Sequence, residues 1–287
     1  MRTHLNFLES ELTETEKNPL TAGFHVLPMP LEKTVSYGSG TRHGPDAILK
    51  ASQELERLCA GMEPCAAGIV TEPAVNCSES IEQAIGALRA RTRALAVQGR
   101  VPVTLGGEHS LTYGAVMGIV DALDAPIGIV QIDAHADLRI AYQGNRHSHA
   151  SVMHLLAEEG VRLAQFGVRA LCREEVESRT RNRVFFRDAE DLVVGGVMHA
   201  PLPDDFPDNV YVSFDVDGLD PSIMPATGTP VPGGLGYYQA LHLVENALAG
   251  RKCVGLDVVE LAPMAGQTAW DFTAAQIVYR LMAACGR

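Results

Sequence analysis

Basic charge is scarce in this 287-residue chain. Lysine and arginine total 23 against 35 aspartates and glutamates, a formal charge of −12. A domain that lives on attraction to phosphates carries the opposite sign, so nucleic-acid partners are not expected. Long apolar runs are missing as well. No stretch approaches the roughly 18–20 residues of a membrane helix, and the longest candidate, Ala115 to Val130, is interrupted by Asp121 and Asp124. Met1 to Leu12 holds two glutamates and no apolar core of signal-peptide type, so the expected compartment is the cytoplasm. The six cysteines form no C-x-x-C pair, and scattered reduced thiols are the expectation. Linkers, charge blocks and fixed-period repeats are absent, so residues 1–287 read as one domain.

Apolar residues, by contrast, make up 46% of the chain and charged ones only 20%, enough for a sizeable core. They fall in short runs: Gly23 to Met29, Val101 to Leu105, Pro126 to Asp133, Arg162 to Val168, Asn209 to Asp215 and Lys252 to Val258. These runs lack polar alternation, as parallel strands covered on both faces do. Helix-like stretches lie between them. Asn76-Cys77-Ser78-Glu79 has capping-box spacing ahead of Ile81, Ile85, Leu88 and Leu95, with Gly99 beyond the end. Leu241, Val244 and Leu248 repeat the pattern before Gly250, and Gly44-Pro45-Asp46 suits a first helical turn. The alternation predicts an α/β domain with a mostly parallel sheet.

Ligands of such sheets collect beyond the carboxyl ends of the strands. Four predicted strand ends read Gly106-Gly107-Glu108-His109, Asp133-Ala134-His135-Ala136-Asp137, Asp215-Val216-Asp217 and Asp257-Val258-Val259-Glu260. Two-residue spacing on an extended segment points Asp133, His135 and Asp137 the same way. Groups of this type converging on one spot repel one another unless a cation sits between them. The bland alternative makes Asp133 a helix cap and leaves His135 and Asp137 in solvent, but Asp215 and Asp217 repeat the spacing and weaken it. Four carboxylates (Asp133, Asp137, Asp215, Asp217) with His109 and His135 match the charge of two divalent ions. An oxygen-rich set without thiolate suits Mn²⁺ or Mg²⁺, and the imidazoles move the preference towards Mn²⁺, Fe, Co, Ni or Zn; two Mn²⁺ ions are the expectation. A two-metal site of this kind points to hydrolysis.

These motifs, in this order, resemble those of the ureohydrolases, the arginases, agmatinases and their relatives. The segment Ser213-Phe214-Asp215-Val216-Asp217-Gly218-Leu219-Asp220-Pro221, continued by Pro225-Ala226-Thr227-Gly228-Thr229-Pro230, carries much of the likeness, which spans roughly residues 24 to 283. The resemblance implies a three-layer α/β/α fold, an eight-stranded sheet, two Mn²⁺ per subunit and a trimeric or hexameric homo-oligomer. It implies one metal on His109, Asp133, Asp137 and Asp215, and the other on His135, Asp133, Asp215 and Asp217. Hydrolysis of a guanidino group to urea and an amine is the implied reaction. Asp137 would pass a proton to the leaving amine, Glu260 would pair with the guanidinium, and His149 would shuttle protons with solvent. His25, His147, His154 and His242 read as structural.

The substrate tail is expected against Leu138 to Ser148 and the Pro28 to Arg42 loop. Tyr142, Gly144 and Ser148-His149-Ala150 look agmatinase-like, which makes agmatine the first expectation for a small cationic substrate. Ile140 and Ala141 stand where such enzymes commonly carry an acidic pair. Arg139 and Arg146 bring positive charge suited to a carboxylate-ended alternative such as 4-guanidinobutanoate; arginine and guanidine are further alternatives. A non-catalytic homologue would be expected to have lost a ligand, and a single-zinc deacetylase would not need His109 with both Asp133 and Asp137.

Overall fold

One sheet of eight strands organises the computed structural model, which describes residues 5–286; the first four residues of the Met1–Leu12 stretch and Arg287 lie outside. The strands are β1 (Phe24–Met29), β2 (Ile69–Thr71), β3 (Val101–Gly106), β4 (Ile127–Ile132), β5 (Arg162–Phe166), β6 (Phe185–Arg187), β7 (Asn209–Asp215) and β8 (Lys252–Val259). Their order is β2-β1-β3-β8-β7-β4-β5-β6, and every pairing is parallel rather than mostly so. The six longer strands are those expected from apolar runs. The two others, β2 and β6, are three-residue edge strands, too short to show a pattern.

Helices α1 (Gly44–Ala51), α2 (Ile81–Val97), α3 (Leu111–Val120), α4 (Val152–Glu158), α5 (Arg173–Arg181), α6 (Ala189–Val194), α7 (Tyr237–Leu248) and α8 (Ala269–Cys285) connect the strands. Alternate strand residues feed two apolar cores. Val26, Val130, Val212 and Leu256 pack with α1, α7 and α8, whereas Leu27, Ile129 and Tyr211 pack with α2, α3 and α4. The sheet is thus covered on both faces, which is why its central strands are apolar throughout. No helix among the described residues is long and apolar enough to cross a membrane.

Two local expectations need correction. The capping box of α2 sits at Ser80 and Gln83, which exchange hydrogen bonds of 3.3 and 3.1 Å, not at Asn76–Glu79. Asn76 instead accepts from the Ser78 N–H at 3.0 Å in a local turn, a competing use of the same side-chain chemistry. The cysteines are not all thiols either. Cys253 at the start of β8 and Cys285 at the end of α8 are joined as a disulfide, 32 residues apart in sequence. Only the return of α8 against β8 brings them together; Cys65, Cys77 and Cys172 remain thiols.

Candidate metal centre and active site

Strands β3, β8, β7 and β4 are the four central neighbours of the sheet, although β3 and β4 are separated from β7 and β8 by about a hundred residues of chain. Their carboxyl ends therefore share one edge. His109 follows β3 through Gly106-Gly107. A Cβ on Gly107 would lie 2.1 Å from the Leu31 carbonyl oxygen, so glycine is required for this close approach. Asp133 to Asp137 follow β4, but not as an extended strand. Asp137 has φ +53°, and His135 bridges to Ala170. Asp215 ends β7, and Asp217 lies in the following 3-10 turn, its N–H held at 2.8 Å by the Asp215 carboxylate. Glu260 comes directly after β8 at φ +64°. Positive φ at two non-glycine carboxylates is costly backbone geometry of the kind concentrated at functional sites.

The six expected metal ligands meet. His109 Nδ1 lies 2.9 Å from Asp137, 3.1 Å from Asp133 and 3.4 Å from Asp215. His135 Nδ1 lies 3.1 Å from Asp217 and 3.6 Å from Asp133. Two potential ion-binding groups result, His109–Asp133–Asp215 and Asp133–His135–Asp217, with Asp133 common to both. The hydrogen bonds behind His109 decide what it offers. Ser213 Oγ gives its one hydrogen to Asp257 at 2.7 Å and lies 2.9 Å from His109 Nε2, so Nε2–H is the donor between them. Asp257 also accepts from Thr112 and Tyr211, each at 2.8 Å. The Nδ1 lone pair is then buried without a hydrogen bond and faces three carboxylates. A divalent cation satisfies that arrangement, and the orienting hydrogen bond behind the imidazole is typical of metal ligands. The residues fit a metal pair.

The electrostatics agree. Burial, then Asp133, pushes Asp137 up to about 7, and burial with Asp217 and Asp133 pushes Asp215 well above the usual range. Burial disfavours charged histidine, yet Asp133 and Asp217 overcome it and raise His135 to about 12. The carboxylates and imidazoles thus compete for protons that a bound cation would displace.

This cluster forms the floor of a cavity of about 430 Å³. Glu260 and His149 line it too, with Val35 to Gly38, Arg139 and Tyr142 from the two expected loops. Ala170 to Cys172, Glu175, Gly228 and Thr229 complete it. The Ala170–Glu175 wall was not anticipated, although it follows the carboxyl end of a predicted strand. Arg146 is exposed and pairs with Glu158 outside the cavity, so of the two expected arginines only Arg139 reaches it. His25 pairs with Glu72, His154 approaches Glu158, His147 packs on Tyr113 and His242 lies beside Tyr238. Arg169 belongs to none of the sequence motifs. Its guanidinium binds the carbonyls of Gly167, Asp217, Gly218, Leu219 and Val231, clamping the turn that carries Asp217.

A sequence profile described as "Arginase family" matches residues 22–284. The chain belongs to the arginase family. It is an enzyme of the ureohydrolase type, a hydrolase of guanidino C–N bonds. Among similar proteins, the N(1)-aminopropylagmatine ureohydrolase of Synechocystis sp. is 34% identical over 96% of this chain and 92% of its own length. The agmatinase of Pyrococcus horikoshii is 33% identical over 93% of each. The crystal structure of the agmatine ureohydrolase of Thermoplasma volcanium superposes with a TM-score of 0.81 at 29% identity. That match covers 99% of this arginase-family chain and 96% of the other.

Proposed function

We propose that the protein hydrolyses a small guanidino compound to urea and an amine at a pair of Mn²⁺ ions held by His109, Asp133, His135, Asp137, Asp215 and Asp217. The observation that carries this reading is the buried Nδ1 of His109, without a hydrogen bond among three carboxylates at the cavity floor. Oxygen-rich ligation with two imidazoles supports manganese. When bound, the metal pair supplies a strong nucleophile from water at neutral pH.

The protein's own groups bind and move protons. A guanidinium stays protonated in water and presents a planar fork. Glu260 meets that fork as a carboxylate; one of its oxygens already accepts the His109 N–H at 2.6 Å, which fixes its direction. Burial raises Glu260 to about 8 in the absence of a cation, and a guanidinium beside it favours the charged form. Asp137 takes the proton of the attacking water and passes it to the departing amine. His149, half-buried at the cavity wall, carries a second proton from solvent to the amine as it leaves. Burial lowers its pKa, so the neutral imidazole prevails near neutrality.

Agmatine is the first substrate to test, because the similar proteins are named for agmatine and its aminopropyl derivative. A carboxylate-ended guanidino acid is the second reading, and Arg139 favours it. Arg139 lines the cavity, places its guanidinium 5.4 Å from the centre of the Tyr142 ring and makes no ion pair among the described residues. The family resemblance supports a trimeric or hexameric homo-oligomer in the cytoplasm. The test is urea release by Mn²⁺-loaded protein from agmatine, N(1)-aminopropylagmatine, arginine, 4-guanidinobutanoate and guanidine. The highest kcat/KM is expected for agmatine. Preference for 4-guanidinobutanoate supports the second reading, and no urea from any of the five overturns both.

A further inference from the structure

Beside the cavity lies a chain of hydrogen bonds that the reaction as described leaves unused. It starts at Glu108, whose side chain is fully buried. Glu108 Oε2 accepts the backbone N–H of Lys33 and, at 2.6 Å, that of Thr34. Oε1 accepts the hydroxyls of Thr34 at 2.8 Å and Ser110 at 2.5 Å. All four donors converge on a group that, as a carboxylate, has only acceptor sites to offer. The Thr34 hydroxyl has one hydrogen, and the carboxylate is the stronger acceptor for it.

What remains on Thr34 Oγ1 is two lone pairs. Both point to a single residue: the His149 backbone N–H lies 3.1 Å away, and His149 Nδ1 also lies 3.1 Å away. Since the hydroxyl hydrogen is committed to Glu108, Nδ1 has to be the donor. Neutral His149 is thereby held as the Nδ1–H tautomer, with its lone pair on Nε2. Nε2 makes no hydrogen bond with the protein among the described residues, and the His149 side chain lines the cavity. The Tyr142 ring, edge-on at 5.6 Å, limits rotation of the imidazole from another side.

We propose that Thr34, itself held by Glu108, is the positioning residue of His149: it fixes which ring nitrogen carries the proton and which faces the substrate. Thr34 touches no reacting atom and acts only through the histidine. Its contribution presupposes the proton-shuttling role read for His149 above. The same logic governs triads in which a buried carboxylate fixes a histidine tautomer, here with a hydroxyl between the two. Thr34 lies in the loop after β1 and Glu108 just after β3, so the relay exists only because those neighbouring strands end side by side.

Thr34→Val removes the hydroxyl and keeps the backbone bond to Glu108. Kinetics of the Mn²⁺-loaded enzyme should then show kcat lower by about ten- to a hundredfold, less than the roughly 10²–10⁴-fold that a positioned acid–base group itself contributes, with KM little changed. Thr34→Ser should recover most of the rate. On a His149→Ala background, Thr34→Val should cost nothing further. Equal kcat for Thr34→Val and wild type, failure of serine to rescue, or full additivity with His149→Ala overturns the proposal. A second measurement needs neither turnover nor a variant. In ¹⁵N-histidine-labelled protein loaded with diamagnetic Zn²⁺, His149 should carry its proton on Nδ1, and a proton on Nε2 in the neutral ring refutes the relay. If wild-type enzyme releases no urea from any guanidino compound, the reading of the site fails, while the tautomer still decides the geometry proposed here.

Discussion

Replacing Arg169 with methionine tests how the second half of the ligand set is held. The half-buried guanidinium makes six hydrogen bonds to five carbonyls, at 3.0 Å to Gly167, 2.7 Å to Asp217, 3.3 Å to Gly218, 3.1 Å to Leu219 and 3.0 and 2.7 Å to Val231. Three of the acceptors belong to the turn that presents Asp217. Methionine fills the space of the stem and donates nothing. A hydrogen bond contributes about 0.5–1.5 kcal/mol net, and up to about 3 when one partner is charged. Water replaces part of the loss at a half-buried group, so about 3–4 kcal/mol is expected in place of the full sum. At about 2–4 °C per kcal/mol for a chain of roughly this size, the melting midpoint should fall by about 6–16 °C. Because Asp217 loses its support, affinity for the metal should fall about 10–100-fold, as for other groups that orient ligands. Calorimetric melting with and without Mn²⁺, together with a metal titration, reads both effects. Arg169→Lys keeps charge without the fork and should fall between. A midpoint within about 2 °C of wild type, with unchanged metal affinity, would refute the clamp.

Asp137→Asn should abolish urea release while the circular dichroism spectrum stays that of wild type; a near wild-type rate rejects the role given to this carboxylate. His149→Ala should slow turnover most near neutral pH, and a constant ratio to wild type across the pH profile counts against proton shuttling. Chelated protein should lose stability as the pH rises. Asp137 at about 7 and Glu260 at about 8 lie above their ordinary 3.8 and 4.5. Their stabilisation is therefore complete below about pH 4 and disappears as the pH passes through 7 to 8. His135, raised to about 12, acts in the same direction above its ordinary 6.5. Melting of the chelated protein between about pH 5 and pH 9 should show this slope, and Mn²⁺ should flatten it; a flat profile with chelator contradicts the electrostatics. Gly107→Ala would put a methyl 2.1 Å from the Leu31 oxygen. Lower thermal stability and weaker metal binding are expected, whereas unchanged melting would mean that the loop yields freely.

Much of the candidate site was legible because its residues are concentrated in short motifs at strand ends. His109, Asp133, His135, Asp137, Asp215 and Asp217 are all found together at one sheet edge. Asp133 to Asp137 converge through a loop with a left-handed residue and not by the strand alternation that their spacing suggests. Ser213, Asp257, Thr34 and Arg169 went unnoticed as supports. Each works through hydrogen bonds mostly to partners far along the chain, and no local spacing records such a bond. Ser213 and Asp257 lie inside the strand-end motifs, but their residue type and spacing give no sign of the bonds they make.

Apolar runs of strand length, broken by glycine and by amphipathic stretches, were enough to determine a parallel α/β sheet, since local patterning reflects which faces of each element are covered. Spacing and residue type likewise singled out a candidate set of metal ligands, because carboxylates and imidazoles keep their charge and donor character wherever the chain carries them. Strand order did not follow from any of this. That β8 and β7 enter between β3 and β4, that Thr34 meets His149, that Cys253 reaches Cys285 and that only Arg139 of two arginines enters the cavity were decided by packing. Such contacts join residues distant in sequence, and their energies exist only once the layers have closed on one another.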